Sequence, residues 1–329
     1  MARMTLTIVL VLLVASEAAG VSLNAGDLLV VDHSAFGGGG GIIHVDPTTG
    51  VQTVVSSGGY FADPLGIRFN GAGQLLVVDS VATGAGALIR VDPTTGAQTL
   101  VSSGGYFAEP KNLAVAATGD VFVVDPTAQA IIRVNPITGA QSIVSSGGSF
   151  VLPYGIEITS SGEVLVADLE ALGGGAIFRV DPGTGAQTPV SSGGSFVTPA
   201  NLVAAASGTL FVADSDMAGG LGGVIRVDPL TGAQTVITSG GLFTDPIGIA
   251  FALDGALVLA DGFGFAWSGG VIRVDPLTGG QTAVASGGFF VRPVGVAVVA
   301  PAPVPEPEAL ILLGAALAAM TVLRRAIAS

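Results

Sequence analysis

Six short turns punctuate the chain: Asp46-Pro47, Asp92-Pro93, Asn135-Pro136, Asp181-Pro182, Asp228-Pro229 and Asp275-Pro276 recur at spacings of 46, 43, 46, 47 and 47 residues. Each sits between two runs of β-branched residues and is followed by Gly. An Asp or Asn carboxyl or amide oxygen can accept from backbone amides beyond it. Pro presets φ for the first turn position, and Gly supplies the positive φ needed before the next strand. The repeated Asp is therefore read as structural. A period of 40 to 50 residues built from short strands implies a radial architecture, in which each repeat is one sheet that buries its faces only against its neighbours.

One repeat shows the unit. Pro64–Phe69, Gly73–Asp79, Ala87–Pro93 and Ala97–Ser102 are four short runs separated by Gly, Pro, Asn and Asp, as antiparallel hairpins require. Named a to d in chain order, strand a recurs at Gly66, Asn112, Gly155, Asn201, Gly248 and Gly295, and strand b at Leu28, Leu75, Val121, Val164, Leu210 and Leu257. The first unit starts at strand b, and the last run, Val294–Val299, is a strand a with nothing after it. The sequence thus predicts an all-β, six-bladed β-propeller of four-stranded antiparallel blades spanning 26–299. Its ring is closed by N-terminal strands b to d plus the C-terminal strand a. Closure of this kind removes exposed sheet edges.

Composition fits such a ring. The chain is 50% hydrophobic and only 11% charged, but its 51 glycines fall at turns and its apolar residues come in short, buried-strand runs. There is no cysteine, so neither disulfides nor thiolate metal sites contribute. A net charge of −13 argues against nucleic acid as a partner.

The compartment is read from the two ends. Residues 1–20 combine Arg3, an apolar core from Leu6 to Val14 and the small residues Ala18, Ala19 and Gly20, the pattern of a cleaved signal peptide, with an uncleaved anchor as the alternative. Residues 300–308 form a Pro-rich linker that contains Pro305-Glu306-Pro307. Residues 309–325 follow as a short hydrophobic helix ending in Arg324-Arg325. This order resembles the PEP-CTERM sorting signal of Gram-negative bacteria. That resemblance implies an exosortase-type processing enzyme as a partner and an exported, cell-surface or extracellular product. An apolar stretch below the roughly 20 residues of a stable span suits transient anchoring in the inner membrane, and the arginines would stay cytoplasmic. A plain, unprocessed anchor is the alternative.

Pro246-Ile-Gly-Ile249, Ala256–Asp261 and Val271-Ile-Arg-Val-Asp275 resemble the NHL-type propeller repeat and, more distantly, the gluconolactonase and streptogramin-lyase propellers. The latter two imply a divalent cation such as Ca²⁺ near the channel and a lactonase or lyase activity. In the gluconolactonase pattern the ligands are Asn or Asp just before the inner-strand Gly. Here those positions hold Leu65, Lys111, Tyr154, Ala200, Ile247 and Val294. A second repeated Asp ends each strand b, at Asp32, Asp79, Asp125, Asp168, Asp214 and Asp261. Its recurrence favours an Asx-type turn or a pair with the strand-c base Arg90, Arg133, Arg179, Arg226 or Arg273 over a carboxylate ring that chelates metal. His44 takes that basic position in the first repeat.

Function is sought where the copies disagree. Arg68, Lys111, Asn112, Tyr154, Glu157 and Asn201 break the apolar and Gly pattern of strand a. Together with His33 they form either a small polar ligand site or an ion pair with channel water. Phe61, Phe107, Phe150, Phe196, Phe243 and Phe290 recur at one loop position, as wedges between blades, whereas Tyr60 and Tyr106 are surface candidates. The loop Gly262–Ser268 carries Trp267, which either stacks on a ligand or folds over the channel mouth. Gly37–Gly41 lacks the Lys and Ser/Thr of a phosphate loop. No catalytic constellation emerges. The sequence reading is an exported, non-enzymatic binding or scaffold propeller without a cofactor, for extracellular polysaccharide or a surface protein. A metal-dependent lactonase or lyase is the alternative.

Overall fold

The computed structural model describes residues 20–301, so the signal-peptide segment and the helix with its basic tail lie outside the described residues. Six sheets of four antiparallel strands form the ring. Blade 1 joins Pro293–Val298 to Leu28–Asp32, Gly41–Val45 and Gln52–Ser57. Blades 2 to 6 follow in order, with inner strands a at Pro64–Phe69, Asn112–Val115, Pro153–Ile158, Pro199–Ala204 and Pro246–Phe251. The split closing blade expected from the strand count is present. Val30 pairs with Val296 and Leu28 with Val298, in register.

Strands b are buried along their whole length, and strands c nearly so. This is why they read as continuous apolar runs rather than alternating ones: both faces of each blade pack on neighbours. Strands d alternate between part-buried and exposed, as rim strands do. The six loop phenylalanines are 2 to 6% exposed and lie within the clusters that join successive blades. Around the axis, inner strands approach so closely that a Cβ on Gly66 would sit 2.8 Å from the Cα of Asn112, and one on Gly295 would sit 2.4 Å from the Leu65 carbonyl oxygen. Asn112 and Asn201 fit because each packs against a glycine, Gly66 and Gly155 respectively.

The Asp-Pro turn behaves as its chemistry requires. Asp46 Oδ1 accepts from the amides of Thr48 (2.8 Å) and Thr49 (3.1 Å), and Asn135 does the same for Ile137 and Thr138. These bonds hold the Asp46, Asp181, Asp228 and Asp275 carboxyls below their ordinary range and bring that of Asp92 to about 2.

The strand-b Asp makes an Asx-type turn but no pair with the strand-c Arg. Asp79 accepts from Val81 and Ala82 in its own b–c loop and from Ala62 and Asp63 in the preceding d–a loop. Register explains the separation: Asp79 lies opposite Ala87, and Arg90 opposite Leu76 near the other end of the strand. The strand-c bases look to that other end, as in His44 to Asp27 (2.8 Å) and Arg179 to Glu163 (2.7 Å).

A further repeated contact joins the blades. Gln98, at the start of strand d in blade 2, donates to Ser56 Oγ and the Gly58 carbonyl of blade 1 and accepts from the Tyr60 amide. Gln52 makes the closing copy with Gly287 and Phe289.

Candidate ligand-binding face

The strand-b Asp gathers the b–c and d–a loops on one face, and two positions beside it are free to vary. One is the residue before the strand-a Pro: Asp63, Glu109, Leu152, Thr198, Asp245 and Arg292. The other follows the strand-b Asp: His33, Ser80, Pro126, Leu169, Ser215 and Gly262. Within a blade the second donates its amide to the carbonyl of the first, as in Ser80 to Asp63 (3.0 Å) and Ser215 to Thr198 (3.1 Å), except in blade 3, where Pro126 has no amide hydrogen. Five blades thus share this backbone bond and differ in their side chains.

They differ by sector. In blade 1, His33 Nδ1 lies 2.8 Å from Asp63 Oδ1 of blade 2, whose other oxygen accepts from Ser80 Oγ. Burial opposes ionisation of Asp63, but the bonds from His33 and Ser80 outweigh it and hold the carboxyl below its ordinary value. Arg292 of blade 1 lies 3.8 Å from Asp245 of blade 6. Burial pushes Asp245 up to about 6 despite that guanidinium, with Asp261 and Asp216 adding to the rise. Blades 4 and 5 place Leu152, Leu169, Thr198 and Ser215 at the equivalent points.

The aromatic side chains follow the same division. Arg292 stacks 4.3 Å above the Phe263 ring, and Phe263 lies 5.2 Å from Trp267. Trp267 is 73% exposed. Its loop runs through three consecutive left-handed residues, Phe265, Ala266 and Trp267, with φ of 55°, 58° and 73°. Each costs on the order of 1–2 kcal/mol in a non-glycine residue. The conformation is held by Asp261 Oδ1 accepting from Gly264 and by Ser268 Oγ donating to the Phe265 carbonyl. Phe265 packs against the blade 5–6 core and Trp267 is exposed. Exposed Phe289, Phe36, Tyr60 and Tyr106 continue the arc, and the sequence equivalents of Tyr60 on the far side are Ser149, Ser195 and Leu242.

Of the residues singled out in the sequence, Arg68, Lys111, Asn112, Tyr154 and Asn201 line one narrow cavity in the channel. Glu157 faces Arg68 at 3.7 Å, and burial raises its carboxyl above the ordinary value against the pull of that arginine. Burial also raises the Tyr154 phenol to about 12, so it stays a neutral donor. Trp267 belongs to the separate loop group. Asp63, Ser80, Phe263, Asp245 and Arg292 were missed. For Asp63, Asp245 and Arg292 the signal was the residue before each strand-a Pro, two positions from the residue after Pro that the gluconolactonase pattern points to, and for Ser80 it was the residue after each strand-b Asp.

A hard divalent cation needs converging oxygen ligands. The channel side chains offer a guanidinium, an ammonium, two amides and a phenol, and this donor set does not fit such an ion.

Residues 303–326 match the model of the PEP-CTERM protein-sorting motif. No curated protein matches the chain. Among solved structures, the nidogen/laminin complex contains a chain similar at a TM-score of 0.66 and 15% identity, covering 83% of this chain and 98% of that one. Virginiamycin B lyase from Staphylococcus aureus is similar at 0.51 and 16%, covering 67% and 68%, and a streptogramin B lyase at 0.52 and 19%, covering 67% of each. At these identities the likeness is one of fold. The chain is a six-bladed β-propeller with structural neighbours among the streptogramin lyases, and it carries a C-terminal PEP-CTERM motif that marks it for export and exosortase sorting.

Proposed function

We propose that this is a non-enzymatic binding protein of the cell surface or extracellular matrix that holds an extracellular polysaccharide on one sector of its loop face. The supporting observation is that the exposed aromatic rings and the charged residues before the strand-a Pro fall together on blades 6, 1, 2 and 3. Tyr and Trp rings offer flat apolar surface to the C–H faces of sugars, and planar Asp and Arg groups beside them bond hydroxyls. Export would proceed through removal of residues 1–20, transient inner-membrane association through residues 309–325, and processing at Pro305-Glu306-Pro307 by an exosortase-type enzyme.

The test is retention of the purified propeller on the polysaccharide of the producing cells, measured for the wild type, Trp267→Ala and Tyr60→Ala. Retention should fall at least tenfold in Trp267→Ala with the unfolding midpoint unchanged. Equal retention of both variants, or binding only to a surface protein, would overturn the polysaccharide reading.

A further inference from the structure

We propose that the waist of the channel binds one monatomic anion, a halide, held by Arg68, Lys111 and the side-chain amides of Asn112 and Asn201, with the Tyr154 hydroxyl alongside. The first ground is the polarity of the side chains that line it. The Asn112 and Asn201 Oδ1 atoms are already used, accepting from the amides of Leu113 (2.8 Å) and Leu202 (2.9 Å). Their Nδ2 groups remain as donors. Arg68 and Lys111 have no acceptor to offer. No carboxylate lines this cavity.

The second ground is uncompensated charge. One terminal nitrogen of Arg68, Nη2, is buried without a hydrogen-bond partner, while Nη1 donates to the Ile67 carbonyl (2.9 Å). The nearest acid, Glu157, stands at 3.7 Å, beyond hydrogen-bond length, and burial raises its carboxyl above the ordinary value. Lys111 looks to Glu109 at 3.8 Å, and that carboxylate is half exposed to water. Two cations withdrawn from solvent need compensation that these carboxylates supply only in part. A water would accept from the donors without cancelling charge. A halide does both.

The third ground is size. The cavity measures about 10 Å³, room for a single water-sized guest. A space of this size favours a monatomic guest over polyatomic anions such as sulfate, acetate or a sugar carboxylate. Where other blades meet the channel they carry Leu65, Ala200, Ile247 or Val294 in place of Lys111, and Gly in place of Asn. Donors are therefore additions to an apolar waist rather than a requirement of the fold.

The experiment uses the purified propeller dialysed free of halide into sodium gluconate and titrated with sodium bromide at constant ionic strength. Crystals grown in bromide are then examined by anomalous scattering. The expected result is one bromide per molecule at the waist, and an unfolding midpoint that rises saturably with bromide or chloride and stays flat in gluconate. Asn112→Gly/Asn201→Gly and Lys111→Leu install residues that sister blades already carry, so both variants retain the fold. Each should weaken half-saturation at least tenfold. A water in place of the anomalous peak, the same midpoint in gluconate and bromide, or unchanged half-saturation in both variants would overturn the assignment.

Discussion

At Asp245 a carboxyl is packed beside Arg292 and within the field of Asp216 and Asp261, and burial carries it from 3.8 to about 6. Its folded value lies above its unfolded one, so the native state binds more protons between these limits and stability falls as pH rises from about 4 to about 6. The penalty is absent below pH 4 and complete above pH 6. At roughly 1.4 kcal/mol per unit it amounts to about 3 kcal/mol at pH 7. Asp245→Asn should therefore raise the unfolding free energy at pH 7 by about that amount and leave it unchanged at pH 4. Chemical denaturation at the two pH values measures this, and an equal effect at both would refute it. Nothing in the local sequence Thr244-Asp245-Pro246 marks this carboxyl as different from Asp63-Pro64. What separates them is whether the loop across the blade boundary brings Arg292 at 3.8 Å or His33 at 2.8 Å.

Two kinds of aspartate organise the elements, and their consequences differ. The turn Asp, as in Asp46, is only partly buried and caps two exposed amides that water could also satisfy. The strand-b Asp is fully buried, and Asp32 accepts from Ser34, Ala35, Val291 and Arg292 at once. Asp32→Ala would strand several buried donors, each worth about 1–3 kcal/mol when left unmade. A loss of about 3–5 kcal/mol is expected after local relaxation, with Asp46→Ala far milder. Equal unfolding midpoints for the two variants would show the distinction to be wrong. The turn Asp was legible because its partners lie two and three residues away. The strand-b Asp was legible as an Asx turn for the same reason, but its loop partners lie 16 and 17 residues back, and the expected Arg pair ignored the register of strand c.

For the whole molecule, stability rests on joining the ends. Strand pairing of Pro293–Val298 with Leu28–Asp32 is reinforced by Gln52 to Gly287 and Phe289, and by Gly26 and Val299 bonded across the seam at 2.8 Å. Deleting Gly295–Val299 should leave the Leu28–Asp32 edge unpaired, lower the unfolding midpoint and favour self-association. Calorimetry and sizing of the truncated chain test this, and an unchanged midpoint would argue against closure as the stabilising device. The sequence by itself determined the number of blades, the strand order and the split closing blade, because these follow from period, turn chemistry and counting, all local along the chain. It also determined that Arg68, Lys111, Asn112, Tyr154 and Asn201 are anomalies. Only the tertiary structure decided that these five meet in one cavity, that Trp267 belongs to a different group, and that His33, Asp63, Asp245 and Arg292 face one another across blade boundaries. Those meetings join side chains distant in sequence, 30 residues apart for His33 and Asp63 and 47 for Asp245 and Arg292. A repeat period does not encode which neighbour a variable side chain turns toward.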